Sequence, residues 1–194
     1  MDNAFYVEPI GITGGLAMWW SNEVKLSVLH HDKNLIDTVI SINREVEWFG
    51  TFIYAPPYEK EKQEFWERLG TLRDNVNVKW CIMGDTNIVA SPSEKYGGSP
   101  FDHNNAKWYH EFLERSLLME IQSKGGAYTW SNQRSEEDEI CEKLDKHRRS
   151  SGNFVRDLLF LARMPGDTVD PGVATLSVRD DSSDHSFTNK RINI

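Results

Sequence analysis

The chain has few cysteines, no long apolar run and a deficit of positive charge. Its two cysteines, Cys81 and Cys141, stand far apart in the sequence. That argues against a disulfide framework and against a CxxC metal or redox site, so no disulfide partner is expected. No apolar stretch approaches the ~20 residues that span a bilayer, and no membrane partner is expected. The start, Met1-Asp2-Asn3-Ala4, has neither the basic region nor the apolar stretch of a secretion signal. An intracellular location, nucleus or cytoplasm, is the resulting expectation. Lys and Arg number 22 against 30 Asp and Glu, a formal net charge of −8. A protein that coats nucleic acid carries a basic face, so that class is disfavoured, whereas a nuclease needs only a local basic rim. The sequence has no internal repeat and no low-complexity tract.

Aromatic residues are plentiful: seven Trp, nine Phe and six Tyr supply large core side chains. A length of 194 residues suits one domain, spanning 1–194. Leu16 to Trp20 follows the turn signal Gly14-Gly15 and reads as a short apolar strand. Val24 to Leu29 alternates apolar and polar, Leu35 to Ile42 is rich in β-branched residues, and Glu47 to Tyr54 is rich in aromatics. With Asn43-Arg44-Glu45 as a hairpin turn, residues 1–54 predict a meander of antiparallel strands.

Pro56-Pro57 ends that run. Glu59 to Val76 then places Phe65, Trp66, Leu69, Leu72 and Val76 on one helical face. Lys79 to Met83 predicts a buried strand that delivers Gly84-Asp85, and a Ser/Pro/Gly-rich loop runs from Ala90 to Asp102. A second helical pattern covers Asn104 to Leu118 through Trp108, Phe112, Leu113 and Leu117. Ala127 to Trp130 and Ile140 to Leu144 predict strands around the acidic tip Glu136-Glu137-Asp138-Glu139. Asn153 to Met164 predicts another helix, and Thr175 to Val178 a last strand. Strands and helices mix without regular βαβ spacing. The fold class is therefore α/β (α+β): a sandwich of two packed, mostly antiparallel sheets flanked by helices.

Four segments end apparent strands with polar residues: Ile53-Tyr54-Ala55-Pro56, Gly84-Asp85-Thr86-Asn87, Lys143-Leu144-Asp145 and Ser182-Ser183-Asp184-His185. Rigid scaffolds display catalytic groups at such places. Each segment also has a plain reading. Asp85-Thr86-Asn87 makes a turn, because Asp and Asn bond their own backbone. Asp184-His185 makes a surface pair. Lys143, Lys146, His147, Arg148 and Arg149 make either a basic patch for a phosphate backbone or a solvated charged loop.

The order and spacing of these segments are more specific than any one of them. GGLAMWW (14–20), FIYAPP (52–57), WCIMGDTNIV (80–89), EKYGG (94–98), AYTWSN (127–132), KLDK (143–146) and SSDHS (182–186) run through nearly the whole chain. In that order the sequence resembles the endonuclease/exonuclease/phosphatase superfamily, and more narrowly the endonuclease domain of plant LINE-type non-LTR retrotransposons. The resemblance implies a four-layered α/β sandwich with a Mg²⁺- or Mn²⁺-dependent phosphodiesterase site at one edge, and DNA as the ancestral substrate. It implies that Tyr54 contacts the scissile phosphate, that Asp85 orients or deprotonates the attacking water, and that Asn87 helps hold water and phosphate. Thr129 and Ser183 match polar positions near the phosphate. Asp145 would fix the imidazole of His185, His185 would stabilise the phosphate as charge develops, and Asp184 would help hold the metal. These residue types suit the chemistry, which needs an oriented water, neutralised oxyanion charge and a stabilised leaving oxygen.

The chain also departs from the family. Nothing in it matches the family's two earlier segments, a strand ending in an active-site Asn and one carrying the metal-binding Glu. The resemblance thus implies a domain incomplete at its amino terminus, lacking the first strand or strands and a helix. It further implies weakened metal binding and a sheet edge open to self-association. Thr86 stands where the family has an aromatic or apolar residue, and Lys146 where it usually has Arg. A retroelement remnant without catalysis is the alternative, and a small-molecule phosphatase of the same fold a minor one.

Overall fold

The computed structural model describes residues 2–10, 15–22, 24–42, 46–73, 79–121, 126–135, 137–150, 175–178 and 190–193. In chain order these form β1 (Asn3–Val7), β2 (Leu16–Trp20), β3 (Val24–Asp32), β4 (Leu35–Ile42), β5 (Val46–Tyr54), α1 (Glu59–Thr71) and β6 (Trp80–Asp85). There follow β7 (Lys95–Tyr96), α2 (Lys107–Ser116), β8 (Leu118–Glu120), β9 (Trp130–Ser131), β10 (Cys141–Glu142) and β11 (Asp145–Ser150). The last two strands are β12 (Thr175–Val178) and β13 (Lys190–Asn193). Single turns of 3₁₀ helix precede β7 and α2.

The strands make a six-stranded sheet in the order β3-β4-β5-β6-β11-β8, a four-stranded sheet β1-β2-β12-β13 and a small sheet β7-β10-β9. Every pairing in them is antiparallel except β5 with β6, whose crossover carries α1. The predicted meander therefore divides between two sheets: β3, β4 and β5 form it in the larger, while β1 and β2 pair in the smaller. β1 precedes the segments that the sequence marks as individual strands, and its side chains alternate in burial.

Period-two alternation sorts side chains into two cores. Leu16 and Met18 of β2 meet Ile36, Ile40, Trp48, Phe52, Tyr54, Cys81 and Met83 between the two large sheets. On the opposite face of the six-stranded sheet, Leu35, Ile53, Trp80 and Ile82 meet Phe65, Trp66 and Leu69 of α1 and Tyr109 and Phe112 of α2. Trp66 joins the helices, with ring centroids 4.9 Å from Tyr109 and 5.3 Å from Phe112. Both helices thus cover the outer face of the larger sheet. β6 is buried along its whole length, as expected for a strand covered on both faces.

The second helix is shorter than its pattern predicts. Leu117 adopts a left-handed conformation, φ +50°, which ends α2 and turns Leu118 into β8. Leu117 is consequently exposed at 57% instead of lining the helix's apolar face. The helix over Asn153–Met164, the turn at 43–45 and Val76 lie outside the described residues. Among the described residues no helix is long and apolar enough to cross a membrane.

A buried polar network locks the end of α1 to the sheet. Asp37 is 2% exposed and accepts from Thr51 Oγ1 at 2.7 Å and from Arg73 Nη2 at 2.9 and 2.7 Å. The Arg73 guanidinium lies 3.9 Å from the Phe49 ring centroid, and Trp80 Nε1 donates to Thr51 Oγ1 at 2.8 Å.

Gly84 of β6 is the Cα partner of Ile53 of β5. Its φ is +138°, and a Cβ there would overlap the Ile53 backbone carbonyl. Gly84→Ala is expected to destabilise the fold by about 1–3 kcal/mol through backbone strain, with added overlap. Urea unfolding checks this, and a midpoint equal to that of the wild type would contradict it.

Candidate active site

The predicted site residues that fall within the described set converge. Tyr54 closes β5 and is the Cα partner of Asp85, the last residue of β6. Asp145 opens β11 and is also the Cα partner of Asp85. The three stand in one row across adjacent strands, at one end of the six-stranded sheet. Asp145 begins a strand where the sequence suggested that it ends one. The antiparallel direction of β11 against β6 brings its first residue level with the last residue of β6. Alternation from Cys81 and Met83 puts the row on the face toward the smaller sheet. Asp85 is 3% exposed and Tyr54 7%, while Asp145 is half-buried.

Backbone hydrogen bonds fix the row from both sides. Ala55 N–H donates to Asp85 O at 2.8 Å, which extends the β5–β6 ladder one residue past Tyr54. Thr86 N–H and Oγ1 both donate to the Leu144 carbonyl, at 2.9 and 2.8 Å. The Thr86 hydroxyl thus has a structural use, tethering the residue before Asp145. From the other side, Thr129 Oγ1 accepts from Leu144 N–H and Asp145 N–H, both at 3.0 Å. Thr129 is thereby placed directly against the start of β11.

Asn87 has φ +48°, a conformation Asn tolerates better than most residues. Its N–H donates to Asp85 Oδ1 at 2.8 Å and its Nδ2 to the Ala55 carbonyl at 2.6 Å. The plain turn reading holds, and the turn sets Asn87 against Ala55, the residue after Tyr54. Ser183, Asp184 and His185 lie outside the described residues.

The basic patch is not built as either sequence reading supposed. Alternation along β11 turns Lys146 and Arg148 toward the helix layer, and their side chains are 0% and 7% exposed. Lys146 Nζ lies 2.6 Å from Glu94 Oε2 and 2.6 Å from the Lys143 carbonyl oxygen. Arg148 Nε donates to Tyr109 Oη at 2.8 Å, and its Nη1 lies 3.1 Å from Glu120. Lys143 also pairs with Glu120, at 2.9 Å. Burial pulls the Lys146 pKa below the ordinary lysine range, against the pull of Glu94. Burial alone would raise the Glu120 carboxyl, but hydrogen bonding from Lys143 and the charge of Arg148 bring it below its ordinary value. Lys146 and Arg148 hold the strand that carries Asp145; they do not present charge to a ligand.

His147 shares a face with Asp145 and is the Cα partner of Met83. Burial lowers its pKa below 6.5, helped by the charges of Lys143 and Arg148. Between that lowered value and 6.5 the unfolded chain binds more protons than the folded one. Stability is therefore expected to fall as pH drops through that window, by at most about 1.4 kcal/mol per pH unit, and to level off below it. Unfolding midpoints at neutral and acidic pH check this. His147→Gln should lose that part of the acid sensitivity, and an unchanged pH profile in the variant would contradict the assignment.

Among the described residues no group of three or more His, Cys, Asp or Glu side chains is placed to hold a metal ion. Donor chemistry at the row is nevertheless all oxygen: Asp85 and Asp145 carboxylates and the Asn87 carbonyl. Mg²⁺ takes such donors and needs only one or two carboxylates from a protein, keeping waters for the rest.

Comparison with protein-family models finds no match, and comparison with curated proteins finds none either. Solved structures do match. The endonuclease domain of TRAS1, a telomere-specific non-LTR retrotransposon, aligns over 89% of this chain and 78% of its own, with a TM-score of 0.58 and 13% identity. The human Nocturnin catalytic domain aligns over 69% of this chain and 48% of its own, with a TM-score of 0.36 and 13% identity. D. rerio TDP2, complexed with a single-strand DNA product, aligns over 70% and 54%, with a TM-score of 0.38 and 10% identity. At these identities the likeness is one of fold and rests on the first: the chain shares the architecture of a retrotransposon endonuclease domain, the α+β sandwich that the sequence resemblance implies.

Proposed function

We propose that this chain is a retrotransposon-derived endonuclease-like domain whose row of Tyr54, Asp85 and Asp145 serves phosphodiester hydrolysis in DNA by an activated water. The observation that carries the reading is the register: three separate motifs of the resemblance meet at one level of one sheet end. Asp85 is the group for orienting the water and taking its proton. Asn87 offers its carbonyl oxygen to that water, its amide being engaged by Ala55. Tyr54 contacts the phosphate, Thr129 fixes the start of β11, and Asp145 orients His185, which meets the developing phosphate charge. Ser183, by the same resemblance, would contact the phosphate. Asp184 would help hold Mg²⁺ or Mn²⁺, and the bound ion would supply neutralisation of phosphate charge.

A non-catalytic remnant is the second reading. The internal ion pairs that consume Lys143, Lys146 and Arg148 favour it, because they remove the local basic rim a nuclease would use. Among the described residues the edge strands are β1 and β13 in the four-stranded sheet and β3 and β8 in the six-stranded one, and self-association would use such an edge.

One experiment separates the readings. Purified protein is incubated with supercoiled plasmid in millimolar Mg²⁺, and in parallel with a small phosphomonoester. The endonuclease reading predicts nicked circles, no inorganic phosphate, and loss of nicking on chelation and in His185→Ala. Phosphate release without nicking supports the phosphatase of the same fold. A folded protein that does neither, and whose melting temperature Mg²⁺ leaves unchanged, supports the remnant.

A further inference from the structure

β5 ends in an unusual way. Tyr54 and Ala55 are followed by Pro56-Pro57, neither of which has an N–H to continue the ladder. Two carbonyl groups at the end of the strand take side-chain partners. The Tyr54 carbonyl accepts from Asn34 Nδ2 at 2.8 Å, and the Ala55 carbonyl accepts from Asn87 Nδ2 at 2.6 Å. A carbonyl can only accept, so chemistry fixes which way each amide faces. The Asn34 contact is reciprocal, because Tyr54 N–H donates to the Asn34 backbone carbonyl at 2.8 Å.

Asn34 is itself held. It is 6% exposed, in the turn between β3 and β4. Asp32 Oδ1 accepts from Asn34 N–H at 2.7 Å and from Leu35 N–H at 3.1 Å, which shapes that turn. Arg68 of α1 then pairs with Asp32 Oδ2 at 2.7 Å. A chain of contacts thus runs from α1 through the turn to the backbone of Tyr54.

We propose that Asn34 is a positioning residue: with Asn87 it clamps the end of β5 and sets Tyr54 level with Asp85. The proposal deepens the hydrolytic reading above and rests on it for its kinetic consequence. Nothing in the motifs marks Asn34, and it acts on the row only through the Tyr54 backbone.

The test uses the full chain and two variants. Asn34→Asp keeps the shape but puts an acceptor against the Tyr54 carbonyl. Asn34→Ser is the milder change, should the first not fold. At a temperature where circular dichroism shows each variant folded, plasmid nicking in Mg²⁺ should lose about 10- to 100-fold in kcat with KM little changed. In protein carrying 3-fluorotyrosine, the fluorine resonance assigned to Tyr54 through Tyr54→Phe should shift or broaden, while the others stay. A resonance and a kcat both unchanged in a folded variant would overturn the proposal and leave Asn34 a turn residue only. If the wild type cleaves nothing, the hydrolytic reading fails separately, and the fluorine resonance alone decides the clamp.

Discussion

Asp37→Ala is expected to cost about 3–5 kcal/mol of stability, because it strands the Arg73 guanidinium inside the fold. Asp37 is 2% exposed at its side chain and Arg73 11%, so water cannot replace the lost partner. Thr51 Oγ1 loses its acceptor in the same stroke, and the link from Trp80 Nε1 to that hydroxyl weakens. Guanidinium chloride unfolding measures the loss. The double variant Asp37→Leu, Arg73→Met removes both charges together and should be clearly more stable than Asp37→Ala alone, since the penalty lies in the unpaired charge. A single variant within about 1 kcal/mol of wild type would show that Arg73 finds water or another partner.

The second large effect is kinetic. Asp85→Asn keeps the shape of the side chain, and its amide oxygen can still accept from Asn87 N–H in the turn. It removes the group proposed to take the proton of the attacking water, whose loss costs about 10²–10⁴-fold in general-base catalysis. Nicking should fall by that factor while the melting temperature moves little. Equal losses of activity and stability would mean that Asp85 serves the turn and not the reaction.

The larger sheet was legible because its strands carry their pattern openly. Leu35 to Ile42 and Glu47 to Tyr54 are dense in β-branched and aromatic residues, and β4 and β5 lie where that density predicts. The helical face of Phe65, Trp66 and Leu69 was legible for the same reason. β11 was not. Its sequence DKHRRS has no apolar residue to mark a buried side. Its inward face shows only through partners distant in sequence, Glu94 and Glu120. The end of α2 was missed because the left-handed turn falls on Leu117, where no glycine announces it.

The site divides in a similar way. Motif order named Tyr54, Asp85, Asn87 and Asp145, but not that Tyr54, Asp85 and Asp145 share one level, which follows from strand register. Asn34 lies in none of the motifs, and its contact with Tyr54 is long-range. Thr86 looked like a departure from the resemblance, yet its hydroxyl on the Leu144 carbonyl helps seat Asp145.

The most direct measurement is plasmid nicking by wild type and Asp85→Asn, purified alike and each shown to be folded by a cooperative melting transition. Wild type is expected to convert supercoiled to open-circular DNA in a Mg²⁺-dependent reaction, stopped by chelation and reduced at least about 100-fold in Asp85→Asn. No conversion by folded wild type, or equal conversion by both proteins, would contradict the hydrolytic reading.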